Sequence, residues 1–367
     1  MKYIFLFILS FSSYATELHM SEEQAIREGY KRVEYDQKYI FGSLKALIAP
    51  HALDWPFERP YGRGFLGNNF IQHQPYEDVV NGGYHGGNDM VLEKNSWVLA
   101  PISGVLEAGH YTYVDFDNGG REKFWKPYPE HGSASSFEIA VTDANGLRYE
   151  LHHIERESMP QEILDCLKIK PCLVQKGVRV GTVYTWSTFF HYHHVHVNII
   201  DQNTGLWWNP EYFFKLLQDD IAPDVKVLAV DKTGQNFWLE SGQIIDSAIE
   251  KFVVIGVDKK NDSHFDQMPI HIRISFEHGG QFEYDYRTNL GNDFNNFPDI
   301  SDIYPKRVLL PNGRSARQTM RSSYYPLDAN YLMNLSIPSN RGNGNFTIEV
   351  GDMAGNTTRF KGSVHLP

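Results

Sequence analysis

The spacing of apolar and polar positions changes character several times along the chain. A short apolar run, Tyr3 to Leu9, follows Lys2 and precedes the small-residue sequence Ser13-Tyr14-Ala15. That is the layout of a secretory leader cut near Thr16. The run falls well short of the roughly 20 residues needed to cross a bilayer. Ser21-Glu22-Glu23-Gln24 then forms a capping-box pattern, which predicts a helix running toward Tyr35. From Pro60 to about Ile199, short alternating segments are interrupted by Gly, Asn and Asp; Phe137 to Val141 and Val178 to Val180 are examples. A period of two with frequent turns predicts antiparallel sheet. Trp207-Trp208-Asn209-Pro210 predicts a loop, Glu211 to Leu217 a short closing helix, and Asp219 to Pro223 a linker.

Beyond the linker the alternation is more regular. Val225, Val227 and Ala229 share a face, as do Ile270, Ile272, Ile274 and Phe276. A turn at Gly279-Gly280 returns the chain with Phe282, Tyr284 and Tyr286 on one face. Phe346, Ile348 and Val350 precede a turn over Asp352 to Asn356. Short strands with turns between them predict a β-sandwich of immunoglobulin-like size. The chain therefore divides into a leader (1–15), an N-terminal helical segment (16–59), a sheet-rich domain (60–217), a linker (218–223) and an Ig-like sandwich (224–367). The fold class is mainly β. The sandwich shows no catalytic constellation and is expected to be separable from the chemistry.

Composition narrows the function. Of the 367 residues 41% are apolar and 22% charged, as in ordinary globular chains, so disorder and low complexity are excluded. The formal charge of −11 argues against a nucleic-acid partner, which needs Lys and Arg to displace phosphate counterions. The densest basic cluster, Arg314, Arg317 and Arg321, would share a face if helical and reads as solvated surface. No cysteine near the leader could carry a lipid, so no permanent membrane anchor is expected. The only cysteines, Cys166 and Cys172, cannot complete a four-ligand structural zinc site. In an oxidising compartment they are expected to form a small-loop disulfide.

Histidines supply the candidate chemistry, and they concentrate in three places: Gly82 to Asp89, with His85 between glycines; Leu151-His152-His153-Ile154; and His191 to Asn198. Strand alternation puts His194, His196 and Asn198 on one face, with Val195 and Val197 on the core face. His193 falls on the valine side. One carboxylate and several neutral imidazoles match what Zn²⁺ binds, and surplus histidines can act as general acid or base.

The order of these motifs resembles the lysostaphin-type (LytM-like) zinc endopeptidases. His85-Gly86-Gly87-Asn88-Asp89 is similar to that family's His-x-Gly-x-Asp motif, and Val98 to Leu106 to its following strand-turn-strand. His153-Ile154 sits where the family has His-Leu, Gly177 to Gly181 resembles its glycine-rich turn, and His194-Val195-His196 its His-x-His. Asn209-Pro210 resembles the closing Asn-Pro. The resemblance covers about residues 60–215. It implies a lysostaphin-like peptidase domain with one Zn²⁺ held by His85, Asp89 and His196. His153 and His194 would be the catalytic pair beside a water on the metal, with His152 the competing choice for His153. The implied substrate is the peptide cross-links or bridges of bacterial peptidoglycan, met outside the cytoplasm. The sandwich is expected to bind a wall or protein partner. Asn198 stands where the family often has an acid, and the N-terminal helix and the loop from His51 to Tyr76 are a candidate inhibitory cover. The alternative reading is a catalytically silent relative that binds a wall or division partner through the same groove.

Overall fold

Ser21 Oγ accepts a hydrogen bond from Gln24 N at 3.2 Å, and helix α1 (Glu22–Arg27) starts behind this cap. The helix is shorter than the capping pattern predicts. Gly29 takes the left-handed conformation at φ 85°, a natural helix stop, and Lys31–Arg32 is already a strand. In the computed structural model, residues 19–32, 49–74, 83–115, 121–128, 136–186, 192–245, 249–261, 265–288, 303–305, 307–318, 331–337 and 344–364 are described. The leader read in residues 1–15 and Arg321 lie outside the described residues. None of the helices among the described residues is long and apolar enough to cross a membrane.

The chain is mainly β. In the first half the central strands are β1 (Asn88–Val91), β2 (Gly104–Asp115), β3 (Ser136–Thr142), β4 (Leu147–Glu155), β5 (His194–Asp201) and β6 (Leu206–Trp208). They form one sheet in the order β6-β5-β4-β3-β2, with Arg121–Pro127 continuing it beyond β2. β1 pairs with the start of β5. All these central pairings are antiparallel, as the alternation predicts. A core of Phe137, Ile139, Val141, Leu147, Tyr149, Leu151, Val195 and Val197 backs the sheet, so the valines of β5 do face inward. Leu53, Trp55 and Phe57 pack against this core, and Trp55 stacks on Phe214 at 4.8 Å. Residues assigned by sequence to the N-terminal segment therefore belong structurally with the first sheet.

Leu206–Trp208 is an edge strand rather than a loop, and the helix expected over Glu211 to Leu217 is a single short turn, Pro210–Tyr212. It is not extended because Phe214 bridges to Leu53 and Lys215 N donates to Leu53 O, drawing the backbone into extended pairing. The disulfide between Cys166 and Cys172 is formed, with Cα atoms 5.1 Å apart. It ties helix α2 (Gln161–Cys166) to Cys172–Val174, which adds to β2. The loop-entropy relation puts its contribution at roughly 2 kcal/mol.

The second half places β7 (Asp224–Asp231), β8 (Ile249–Val257), β9 (His271–Phe276), β10 (Gln281–Asp285), β11 (Tyr331–Ser336), β12 (Gly344–Gly351) and β13 (Thr357–Val364) in two sheets. One contains β7-β8-β11, the other β13-β12-β9-β10. Val227, Phe252 and Val254 of the first meet Ile272, Ile274, Phe346 and Ile348 of the second in a common core. Arg314 and Arg317 lie on a hairpin (Arg307–Leu309 with Ser315–Arg317), not a helix, because Pro311-Asn312-Gly313 makes a turn between them.

The halves are not independent. Phe70 and Ile71, from the first half, are fully buried in the second core. Asn69 Nδ2 donates to Met268 O at 2.7 Å, Gln267 Nε2 to Leu66 O at 3.1 Å, and Tyr304 OH to Ile71 O at 2.8 Å. Removing a buried phenyl group leaves a cavity, so Phe70→Ala should destabilise the chain by about 3–5 kcal/mol, read as a lower denaturant midpoint. A loss below about 1 kcal/mol would show that this anchor is dispensable.

Candidate metal centre

Register brings the first ligands together. In the antiparallel pair of β1 and β5, His196 lies directly opposite Asp89, so their side chains stand on the same face. His85 enters from the turn before β1. The glycines after it act through lack of volume: a Cβ on Gly87 would lie 2.0 Å from Val197 O, and one on Gly86 2.5 Å from the Trp207 ring. Neither takes a left-handed conformation, so close approach to β5 and Trp207 is what requires them.

His85 Nε2, Asp89 Oδ1 and His196 Nδ1 converge on one point. They are 2.7 Å (His85 to His196), 3.0 Å (His85 to Asp89) and 3.1 Å (His196 to Asp89) apart. This group could hold a metal ion. Each ligand atom is presented by an outer partner. His85 Nδ1–H donates to Asn69 O at 3.1 Å, and His196 Nε2–H to Asn198 Oδ1 at 2.7 Å. These bonds place lone pairs on the two nitrogens that face the centre. Asp89 Oδ2 accepts from Asn68 Nδ2 and Tyr192 OH, both at 2.8 Å, which leaves Oδ1 directed inward. Two imidazole lone pairs and a carboxylate oxygen facing one another in a buried site need a cation between them. Tetrahedral zinc ligands at about 2.0–2.1 Å would lie roughly 3.3 Å apart, so the donor set fits that ion with small adjustments. Burial presses the Asp89 carboxyl toward neutrality, but the imidazoles packed around it, His194 first and then His85 and His196, outweigh it. The carboxyl is held well below its usual range.

A second pair of imidazoles lies beside this group. His194 Nδ1 donates to Tyr192 O at 3.2 Å, leaving Nε2 3.7 Å from Asp89 Oδ1. The His153 ring is 4.9 Å from that of His194, and Trp186 lies parallel to His194 at 6.2 Å. Burial, then the neighbouring His194, His152 and His196, push the His153 imidazole well below its ordinary range, so it is neutral.

Alternation alone would send His152 and His153 to opposite faces. Instead the register of β3 and β4 shifts between Leu151 and Ile154, and His153 adopts φ 62°. This bulge turns both histidines toward the centre. A non-glycine residue held in the left-handed region costs about 1–3 kcal/mol, and such strain and β-bulges are over-represented near active sites. His152 is nonetheless a different residue from His153. Its Nε2 faces Asn198 Nδ2 at 3.1 Å, its ring stacks on Tyr111 at 5.4 Å, and it lies 5.0 Å from His196. Fully buried Glu150 lies beneath, accepting from Tyr111 OH, Arg148 Nε and Asn198 Nδ2. His193 is buried and accepts from Trp186 N.

Asn68, Asn69, Tyr192, Glu150 and the bridging role of Asn198 carried no signal in the sequence. Asn198 completes the outer shell where an acid was looked for, its Oδ1 orienting His196 and its Nδ2 reaching Glu150 and His152. The segment expected as a cover contributes Asn68 and Asn69 as supports. Asn198→Leu should weaken metal affinity by about 10–100-fold, measured by competition with a chromogenic chelator, because outer partners fix ligand orientation. Unchanged affinity would show that His196 is oriented without it. No family model, curated protein or solved structure matches this chain.

Proposed function

We propose that this chain is an exported zinc endopeptidase of the lysostaphin type, with an Ig-like second domain, that cleaves peptide cross-links or bridges of bacterial peptidoglycan. The observation that carries the reading is the convergence of His85 Nε2, Asp89 Oδ1 and His196 Nδ1, each held by an outer hydrogen bond, next to a separate His153–His194 pair. When bound, zinc supplies Lewis acidity that polarises the scissile carbonyl and lowers the pKa of water toward about 7. The chain's own residues do the rest. His194, whose Nδ1–H is fixed on Tyr192 O, offers Nε2 as the base that takes a proton from the attacking water. Neutral His153 offers an N–H to the oxyanion that develops on the substrate, and the proton that His194 has taken from the water passes on to the leaving amine. Trp186 and Tyr192, both in ring contact with His194, limit how far that base can turn. The Cys166–Cys172 disulfide supports an oxidising compartment.

Digestion of purified peptidoglycan, with and without glycine bridges, followed by mass analysis of the released fragments tests this reading. New amine and carboxyl termini within the peptide, lost on addition of a zinc chelator and regained with Zn²⁺, are expected. Tight binding to the wall polymer with no new termini would establish the silent-module alternative instead.

A further inference from the structure

A second cluster of metal-ligating side chains lies in the half that showed no chemistry in the sequence. Asp219 of the linker, Asp258 just after β8, and Asp352 at the turn between β12 and β13 each direct a carboxylate oxygen to one place, all within 4.8 Å of one another. Asp258 and Asp352 are almost fully buried, at 2% and 1% exposure. Asp352 is held in place: its Oδ1 accepts from Gly355 N and Asn356 N, and its Oδ2 from Asn356 Nδ2. The same Asn356 amide donates to Asp219 O, fastening the linker beside it.

What sets this cluster apart from an ordinary acidic turn is what its buried atoms lack. Asp258 Oδ1 and Asp219 Oδ2 are shielded from water and have no hydrogen-bond partner. Gln267 exchanges both backbone hydrogen bonds with Asp258, so its side chain rises on the same face; it is fully buried, and its Oε1 is likewise unpartnered. Lys260 is the cation that acts on Asp258, but its ammonium is bound to Glu211, itself an acid. Three carboxylates crowd together here, two of them with an orphaned oxygen, and the nearby ammonium of Lys260 is already taken by Glu211. Burial first, then Asp352, Asp219 and Glu211, push the Asp258 carboxyl well above its usual range, and burial raises Asp352 as well.

We propose that Asp219, Asp258 and Asp352 form a binding site for a hard divalent cation, Ca²⁺. The donors are all oxygen, and no imidazole or thiolate joins them, which separates this site from the His85 centre and disfavours zinc. Ca²⁺ takes 6–8 oxygens at about 2.3–2.6 Å with flexible geometry, suited to carboxylates arriving from three separate segments, whereas Mg²⁺ demands tight octahedral packing and keeps its waters. The bound ion would clamp the linker between the halves onto the sandwich. The proposal does not depend on the peptidase reading.

The test uses the full chain, saturated with Zn²⁺ so that the histidine centre is filled, in calcium-stripped buffer. Equilibrium dialysis against ⁴⁵Ca²⁺ should show one ion bound per chain, with a melting temperature that rises as CaCl₂ is added. Asp258→Asn and Asp219→Asn should each abolish both effects; Asp219 is only half-buried, so its variant guards against a folding defect at Asp258. Asp258→Asn should also melt above the wild type when calcium is absent, because one of three crowded carboxylates is gone. The proposal is overturned if the wild type takes up no Ca²⁺ at 10 mM, an amount about tenfold above the weakest common extracellular sites. It is equally overturned if both variants bind Ca²⁺ as the wild type does, or if Mg²⁺ binds here and Ca²⁺ does not.

Discussion

Asp89→Ala should abolish zinc retention and hydrolysis together. Asp89 Oδ1 is the oxygen that both His85 Nε2 and His196 Nδ1 face, at 3.0 and 3.1 Å. Without it, two fixed imidazole lone pairs cannot close a three-ligand set that leaves a position for water. The affinity loss should exceed the roughly 10–100-fold seen when only an outer partner is removed. The substitution also strands Asn68 Nδ2 and Tyr192 OH, so a fall in stability is expected alongside. Asp89→Asn separates the effects, since a carboxamide keeps the size and can still accept from Asn68 and Tyr192. It should fold near the wild-type level, judged by its melting temperature, and still bind zinc poorly. A well-folded Asp89→Asn protein with full zinc and full turnover would remove Asp89 from the ligand set.

His194→Ala should do the opposite: zinc stays and turnover falls by the general-base contribution, about 10²–10⁴-fold. His194 shares a face with His196, yet its Nε2 stands 3.7 Å from Asp89 Oδ1, outside the close group of three. The informative contrast is within the doubled histidine of β4. His153→Ala should cut kcat with zinc retained, because His153 adjoins His194 at 4.9 Å. His152→Ala should act mainly on zinc affinity and stability, because His152 is tied to Asn198 and Tyr111 beneath His196. If His152→Ala silences turnover at full zinc occupancy while His153→Ala does not, the two roles are exchanged.

How much of this could be read from sequence differs residue by residue. Alternation in β5 placed His194 and His196 on the site face and Val195 and Val197 in the core, because a half-buried strand writes its two faces at period two. The pairing of His196 with Asp89 is a matter of register between strands more than 100 residues apart, and single-strand pattern carries none of it. The doubled histidine was ambiguous for a physical reason. A bulge and a left-handed His153 break the period-two rule there, and nothing in Leu151-His152-His153-Ile154 announces that break. Asn68 and Asn69 were invisible because their segment is positioned by Phe70 and Ile71 entering the second core and by hydrogen bonds with Gln267 and Met268, about 200 positions away in the chain. The same long-range anchoring is why the halves looked separable. Each carries a clear strand pattern, and the two residues that join their cores sit in an unpatterned loop.

The reading as a whole rests on a zinc ion at one place, and X-ray diffraction from crystals of the full chain above and below the zinc absorption edge tests that directly. The account predicts an anomalous difference peak bounded by His85 Nε2, Asp89 Oδ1 and His196 Nδ1, at about 2.0–2.2 Å from each. A crystal grown with equimolar zinc that shows no peak there, or that places the ion at His271, Glu283 and Asp285 instead, would contradict it.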